Sequence, residues 1–238
     1  MAPRDLDAPE EPASFEEGGL EGEVHVRPVV HLSRADAQAV VRIFHAAFPP
    51  EQRIEDAALM QLIPQPHEDP GGHAFHVAMS PSGVSGFAAG IHVSSIGLAY
   101  IAYLAVEESW RGQGVGTALF RSLVDRWAAA RPRPPHWIFL EVERPELAPD
   151  SVARQLRTRR IGFYERLGLR RIDADFQAPP LGPELPVVPY WIYMLPMRDP
   201  DLEARAIEIA LTDLYREVYG LPAGHALVLH CLRSMKGE

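Results

Sequence analysis

Three glycines stand close together where an apolar, strand-like segment is followed by an amphipathic helix. They are Gly112, Gly114 and Gly116, in the stretch YLAVEESWRGQGVGTALF. Without Cβ atoms the backbone can approach an anion closely, and successive N–H groups at a helix N-terminus can point at it together. The spacing therefore predicts a phosphate-binding turn, in which Arg111 either adds positive charge or caps the turn locally.

Two other phosphate-binding turns fit these residues less well. A P-loop needs Lys and then Ser or Thr directly after its last glycine, whereas Gly116 is followed by Thr117 and Ala118. The dinucleotide fingerprint needs a third glycine or alanine at a position that Thr117 occupies when the count starts at Gly112. A tight strand-to-helix connection without any ligand is the structural alternative.

Two segments resemble motifs of the GNAT superfamily of N-acyltransferases. YIAYLAVEESWRGQGVGTAL is similar to the acetyl-CoA-binding motif, and RRIGFYERLGLRRI is similar to the FYE-x-x-GF helix motif, with Leu169 in place of the usual Phe. The resemblance implies that the strand end before the turn separates from the next strand and binds the pantetheine arm, while the turn binds the pyrophosphate. The implied cofactor-binding residues are Leu104, Ala105, Val106, Arg111, Gly112, Gln113, Gly114, Val115, Gly116 and Thr117.

Acyl transfer to an amine needs a base for the amine, a donor for the developing oxyanion and an acid for the departing thiolate. The resemblance implies that Tyr164 is the acid, because of its place in the helix motif. The oxyanion donor would be a backbone N–H near residues 104–106. Acetyl-CoA would act as co-substrate, and we expect no metal.

The general base is less well defined. Many family members carry a Glu on the strand before the turn, but here that stretch is AYIAYLA. Glu141 and Glu143 are the substitutes, since residues two apart on a strand face the same side. They could instead lie at an exposed strand end or pair with arginines of the next helix. A water relay and His92 are further candidates.

Four arginines lie on the predicted helix that carries Tyr164. Their clustering predicts a solvated helix face, from which one side chain could reach a phosphate of CoA. They are Arg154, Arg157, Arg159 and Arg160.

The elements that must position these residues indicate an α/β fold. Short turns between strands predict a central, mixed but mostly antiparallel sheet flanked by helices, and only the glycine-turn helix requires a parallel crossover. Predicted strands cover 23–32, 73–80, 83–93, 98–106, 136–143, 170–177 and 190–196. Predicted helices cover 33–48, 51–63, 114–130 and 151–167, and a further helix capped by Asp199 follows, then a last one.

Composition divides the chain into three parts. Residues 1–22 are expected to be an acidic, disordered tail, since residues 1–23 hold eight acids and one base of a chain whose net charge is −9. Residues 23–196 would form a single GNAT-like domain, and residues 197–238 a C-terminal helical extension. These last helices are expected to cover the sheet or to form a homodimer contact.

Other features exclude several classes of protein. Cys231 is the single cysteine, so neither an intrachain disulfide nor a cysteine-based zinc site is possible. The sequence shows no signal-like N-terminus, no apolar run long enough for a bilayer and no basic stripe. We therefore expect a cytoplasmic protein without membrane or nucleic-acid partners.

The functional expectation is an N-acetyltransferase that moves an acetyl group from acetyl-CoA to a primary amine of a small molecule or protein. The amine would attack directly in a ternary complex. The alternative is a catalytically silent acyl-CoA-binding regulatory module. Tyr164 favours the enzyme, and the missing carboxylate before the turn keeps the alternative open.

Overall fold

One sheet of eight strands organises the computed structural model, which describes residues 24–64, 72–197 and 203–235. The strands are β1 (His25–Pro28), β2 (His73–Ser80), β3 (Gly83–Val93), β4 (Leu98–Val106), β5 (Trp137–Glu143), β6 (Arg170–Arg171), β7 (Phe176–Ala178) and β8 (Val188–Pro196). The helices are α1 (Arg34–Ala47), α2 (Asp56–Gln61), α3 (Val115–Ala128), α4 (Ser151–Arg166), α5 (Ala204–Tyr219) and α6 (Ala226–Ser234).

The sheet order is β1-β2-β3-β4-β5-β8-β6, and β7 also pairs with β8. Every pair is antiparallel except β4 with β5, which α3 connects in parallel. This confirms the predicted mixed, mostly antiparallel sheet with one parallel crossover. β4 and β5 pair only through Leu98–Tyr100 and Trp137–Phe139, so the two strands separate over the rest of their length.

Local chemistry accounts for the ends of three helices. The Ser33 hydroxyl accepts from the Asp36 N–H (3.1 Å) at the start of α1, and the Asp150 carboxylate accepts from the Ala153 N–H (2.7 Å) at the start of α4. α5 ends at Gly220, whose φ of 66° lies in the left-handed region that glycine adopts without strain.

Helices pack on both faces of the sheet. On one face, α3 and α4 bury Leu119, Leu123, Trp127 and Ile161 against the central strands. On the other face, α1 packs through Val40 and Phe44 against Phe87 and Tyr103 of β3 and β4. α5 packs through Leu211, Leu214 and Tyr215 against residues of β4, β5 and β8, so this helix covers the sheet of its own chain.

Several predicted elements have different bounds. One strand over 170–177 is wrong, because the chain turns at Ile172–Ala174, where the Ala174 N–H donates to the Ile172 carbonyl (3.0 Å), and β6 and β7 pair separately with β8. One helix over 51–63 is also wrong: a 3₁₀ turn at Pro50–Gln52 precedes the short α2.

Two predictions lie outside the described residues. They are the acidic tail over residues 1–22 and the cap at Asp199, and the described part of the last long helix begins at Ala204 after Glu203.

Candidate active site

A groove of about 960 Å³ lies beside the N-terminus of α3 and the adjacent face of α4. Most residues that the sequence predicts to bind the cofactor line it: Leu104, Ala105, Val106, Arg111, Gly112, Gly114, Gly116 and Thr117. Two do not. The Gln113 amide donates to the Ser109 carbonyl (2.8 Å), and Val115 is buried in the core beneath the turn. Arg159 of the predicted arginine face also lines the groove.

The glycine turn has the backbone conformation of an anion site. Gly112 and Gly114 have φ of 78° and 81°, in the left-handed region that residues with a Cβ rarely adopt. Gly114 is the N-cap of α3 and provides no side-chain acceptor, so the first amides of this helix are open to an external anion. Arg111 caps the turn locally, because its Nε donates to the Val106 carbonyl (3.1 Å).

A second cavity, of about 350 Å³, adjoins the groove. Leu104 and Arg160 line both spaces, so the two spaces meet at these residues. Tyr164, Glu141 and Glu143 all line the second cavity. The structure therefore brings the predicted acid and both candidate bases to one place, directly beside the predicted cofactor groove.

Glu141 is held by tyrosines rather than by a cation. The Tyr219 hydroxyl donates to Glu141 Oε1 (2.5 Å), and the Tyr100 hydroxyl lies 3.4 Å from that of Tyr219. Burial raises the pKa of Glu141 to about 7, and the hydrogen bonds from Tyr219 and Tyr100 oppose this rise. A carboxyl group with this pKa can gain and lose a proton at neutral pH.

Glu143 has different partners, although it faces the same side of β5. It pairs with Arg157 (3.0 Å) and Arg160 of α4, and it accepts a hydrogen bond from Gln52 Nε2 (3.1 Å). Surrounded by these three donors, this carboxylate connects β5 to α4 and to the 3₁₀ turn. The geometry therefore favours Glu141 as the carboxyl group that exchanges protons.

Tyr164 is buried on α4 at the wall of the cavity. Its ring packs against those of Phe163 and Phe120, with centroid distances of 5.0 and 6.5 Å. Burial raises the pKa of Tyr164, and the nearby Arg160 charge opposes that rise. The phenol therefore stays protonated at neutral pH and can act as a proton donor.

Four further tyrosines of the cavity were not predicted as site residues. They are Tyr100 and Tyr103 of β4, Tyr190 of β8, and Tyr219 of α5 in the C-terminal extension. Tyr219 follows Tyr215 at helical spacing and continues the apolar stripe of α5, a signal of packing rather than of chemistry. His92, a further candidate base, is buried on β3 and lines neither space.

The described residues carry no sign of a metal or a membrane span. Within residues 24–64, 72–197 and 203–235, no group of three or more His, Cys, Asp or Glu side chains is arranged to hold a metal ion. In the same ranges, none of the helices has both the length and the hydropathy of a transmembrane segment.

The central part of the chain matches a known protein family. Residues 71–170 match the family model described as the acetyltransferase (GNAT) domain. No curated protein sequence matches the chain. The matched segment contains Glu141, Glu143, Tyr164 and the whole glycine turn, whereas Tyr219 lies outside it.

Solved structures resemble a larger part of the chain. A GNAT-family protein from Bacteroides thetaiotaomicron aligns with a TM-score of 0.58 and 22% identity, over 83% of this chain and 99% of its own. A GCN5-related N-acetyltransferase from Kribbella flavida aligns with a TM-score of 0.51 and 21% identity, over 73% of this chain and 98% of its own. Arabidopsis thaliana NAA60, solved with acetyl-CoA, aligns with a TM-score of 0.52 and 17% identity, over 73% of this chain and 98% of its own. These identities show a shared fold.

Tyr219→Phe tests the hydrogen bond that α5 supplies to the cavity. We expect the pKa of Glu141 to rise by about 1, because the lost hydrogen bond stabilises the ionised carboxylate. NMR titration of ¹³C-labelled glutamate carboxyls measures this directly. Tyr215→Phe is the matched control on the same helix, since its hydroxyl donates to the Gln177 carbonyl (3.0 Å). Equal Glu141 titration curves in the two variants would contradict the assigned contact.

Proposed function

We propose that this chain moves the acetyl group of acetyl-CoA directly onto a primary amine within a ternary complex, and the match of residues 71–170 to the GNAT acetyltransferase domain model supports this. One observation carries the proposal. The groove beside the glycine turn and the cavity that contains Tyr164 and Glu141 meet at Leu104 on the free end of β4. A thioester held in the groove would therefore present its carbonyl to an amine held in the cavity.

The groove fits the chemistry of CoA. The amides of the glycine turn and the positive end of α3 would hold the pyrophosphate, with Arg159 and Arg166 lining the same groove as further positive charge. The backbone of residues 104–106 has left β5 and can hydrogen-bond to the pantetheine arm. Bound acetyl-CoA supplies the activated acyl group, and this chain positions it.

Three groups of the chain would then carry out the transfer. Glu141, as a carboxylate, removes a proton from the attacking ammonium or amine. A backbone N–H near the end of β4 donates to the carbonyl oxygen as negative charge develops there. Tyr164 gives its proton to the sulfur as the carbon–sulfur bond breaks and the new amide bond forms. Glu143 keeps α4, and therefore Tyr164, in place against β5.

The alternative of a catalytically silent acyl-CoA-binding module has less support. The one feature that favours it is the missing carboxylate on the strand before the glycine turn. Glu141 provides a carboxyl group in the same cavity from the neighbouring strand, with a pKa suited to a general base.

Gly112→Ala tests the cofactor site. At φ 78° an L-residue is strained by about 1–2 kcal/mol, so we expect acetyl-CoA affinity to fall about tenfold as the turn relaxes. Isothermal calorimetry measures the affinity, and wild-type Tm should rise more with acetyl-CoA than with NAD or ATP. Gly83→Ala is the control, since Gly83 also has a positive φ (110°) and open space around it, but begins β3 directly after the β2–β3 turn. Equal acetyl-CoA affinities of the two variants would contradict the assignment.

Tyr164→Phe tests the general acid. We expect kcat to fall by about 10²-fold while the acetyl-CoA Kd stays unchanged, because only the proton donor is lost. Free-thiol release with a panel of amines measures turnover. Tyr193→Phe removes another buried hydroxyl, which donates to Glu165 (3.2 Å), and should leave kcat near that of wild type. Wild-type turnover in Tyr164→Phe would show that the assigned acid role is wrong.

Glu141→Gln tests the general base through the pH profile. With a pKa of about 7, the active carboxylate form accumulates as pH rises, so kcat/KM of the wild type should increase through about pH 7. Glu141→Gln should lose this increase of kcat/KM near pH 7, and its kcat/KM should fall by about 10²-fold. Glu143→Gln should keep the increase, since Glu143 is tied to arginines. If the increase near pH 7 persists in Glu141→Gln, the base is another residue.

A further inference from the structure

The walls of the cavity around Glu141 select among amines. We propose that the acceptor is a small primary amine with an apolar or aromatic body and no anionic group, in preference to an amino acid or a lysine of a protein. This inference rests on the acetyl transfer proposed above and adds the chemical class of the acceptor.

Aromatic and aliphatic side chains form most of the cavity wall. Phe48, Tyr100, Tyr103 and Tyr190 line it together with aliphatic side chains of β3, β4 and β8. Its volume of about 350 Å³ lies at the lower end of the range for small-molecule sites, about 300–1,000 Å³. Ring faces also attract a cationic ammonium group, and a carboxylate at Glu141 would hold it before it loses its proton. The wall therefore suits a compact apolar body that ends in one amine.

The charges in the wall disfavour an acceptor that carries an anion. The acidic side chains include Glu51, Glu141 and Glu143. Among the described residues of the wall, Arg160 is the only arginine or lysine, and its guanidinium already pairs with Glu143. His73 is the other basic side chain there. A carboxylate or phosphate on the acceptor would lose its hydration beside acidic groups without an unengaged guanidinium or ammonium partner.

The C-terminal extension restricts access to the cavity. Val218 and Tyr219 of α5, together with Pro179 and Leu181 of the β7–β8 loop, form part of the wall. α5 is fixed there by its buried apolar side chains, and the Tyr215 hydroxyl both donates to the Gln177 carbonyl (3.0 Å) and accepts from the Gln177 N–H (3.2 Å). These side chains narrow the cavity, which favours a small molecule over a segment of folded polypeptide as the acceptor.

A matched set of amines tests the class of acceptor. Phenethylamine, phenylalaninamide and phenylalanine share a phenyl ring and a primary amine, and only phenylalanine adds a carboxylate. A lysine-containing peptide represents a protein acceptor. We expect kcat/KM for phenethylamine to exceed that for phenylalanine and for the peptide by at least about 10²-fold, with phenylalaninamide in between.

An added cation should change the preference in a defined direction. Leu181 is 38% exposed at the cavity wall, and Val187 is equally exposed on the same loop but lies outside the wall. Leu181→Arg should reduce the preference for phenethylamine over phenylalanine by about tenfold, because the new guanidinium can pair with the carboxylate. Val187→Arg should leave that preference unchanged. Equal preferences in Leu181→Arg and the wild type would contradict the placement of the acceptor.

The outcomes separate this inference from the function on which it rests. Preferred acetylation of phenylalanine or of the peptide overturns the acceptor class and leaves acetyl transfer intact. If acetyl-CoA binds but no amine is acetylated, the proposed function fails. Calorimetry with CoA present then decides the inference: tighter binding of phenethylamine than of phenylalanine supports it, and equal or absent binding overturns it.

Discussion

The separation of β4 from β5 is the constraint on which the rest of the site depends. Parallel strands that stayed paired to their ends would satisfy each other's backbone groups and leave no polar surface between them. Here the pairing stops after Tyr100 and Phe139, and the freed end of β4 leads into the glycine turn. The groove and the cavity meet at Leu104 of this freed end. α4 crosses beside the opening and contributes Tyr164 and the arginines that hold Glu143.

Two glutamates on the same strand face show how surroundings decide chemical behaviour. Glu143 meets two guanidinium groups and an amide, which replace the water that it loses, so its charge is compensated. Glu141 meets tyrosine hydroxyls, which donate hydrogen bonds but bring no positive charge, so burial raises its pKa to about 7. The same residue type therefore serves as a structural connection at one position and as a proton acceptor at the other.

Local features of the fold could be predicted from the sequence, and long-range ones could not. The glycine turn, the strand before it and the helix after it depend on neighbouring residues, and their predicted positions are confirmed. The pairing of Glu143 with arginines of the next helix was one of the sequence alternatives, but the tyrosine surroundings of Glu141 depend on Tyr219, which lies 78 residues away in the chain. No periodicity carries that information. The division of residues 170–178 into two short strands likewise depends on pairing with β8, which a local pattern does not report.

The position of Tyr219 on α5 makes the seating of that helix and the proton on Glu141 two linked equilibria. Seating α5 against the sheet both buries Glu141, which raises its affinity for a proton, and brings the Tyr219 hydrogen bond, which lowers it. Burial is the larger effect, so by reciprocity a bound proton favours the seated helix. Release of α5 would hydrate the carboxyl group and return its pKa toward the ordinary value. As pH rises through about 7, Glu141 loses its proton and the seated state loses part of its advantage. The rise in pH that converts Glu141 to the carboxylate therefore also weakens the seating of α5, which forms part of the cavity wall.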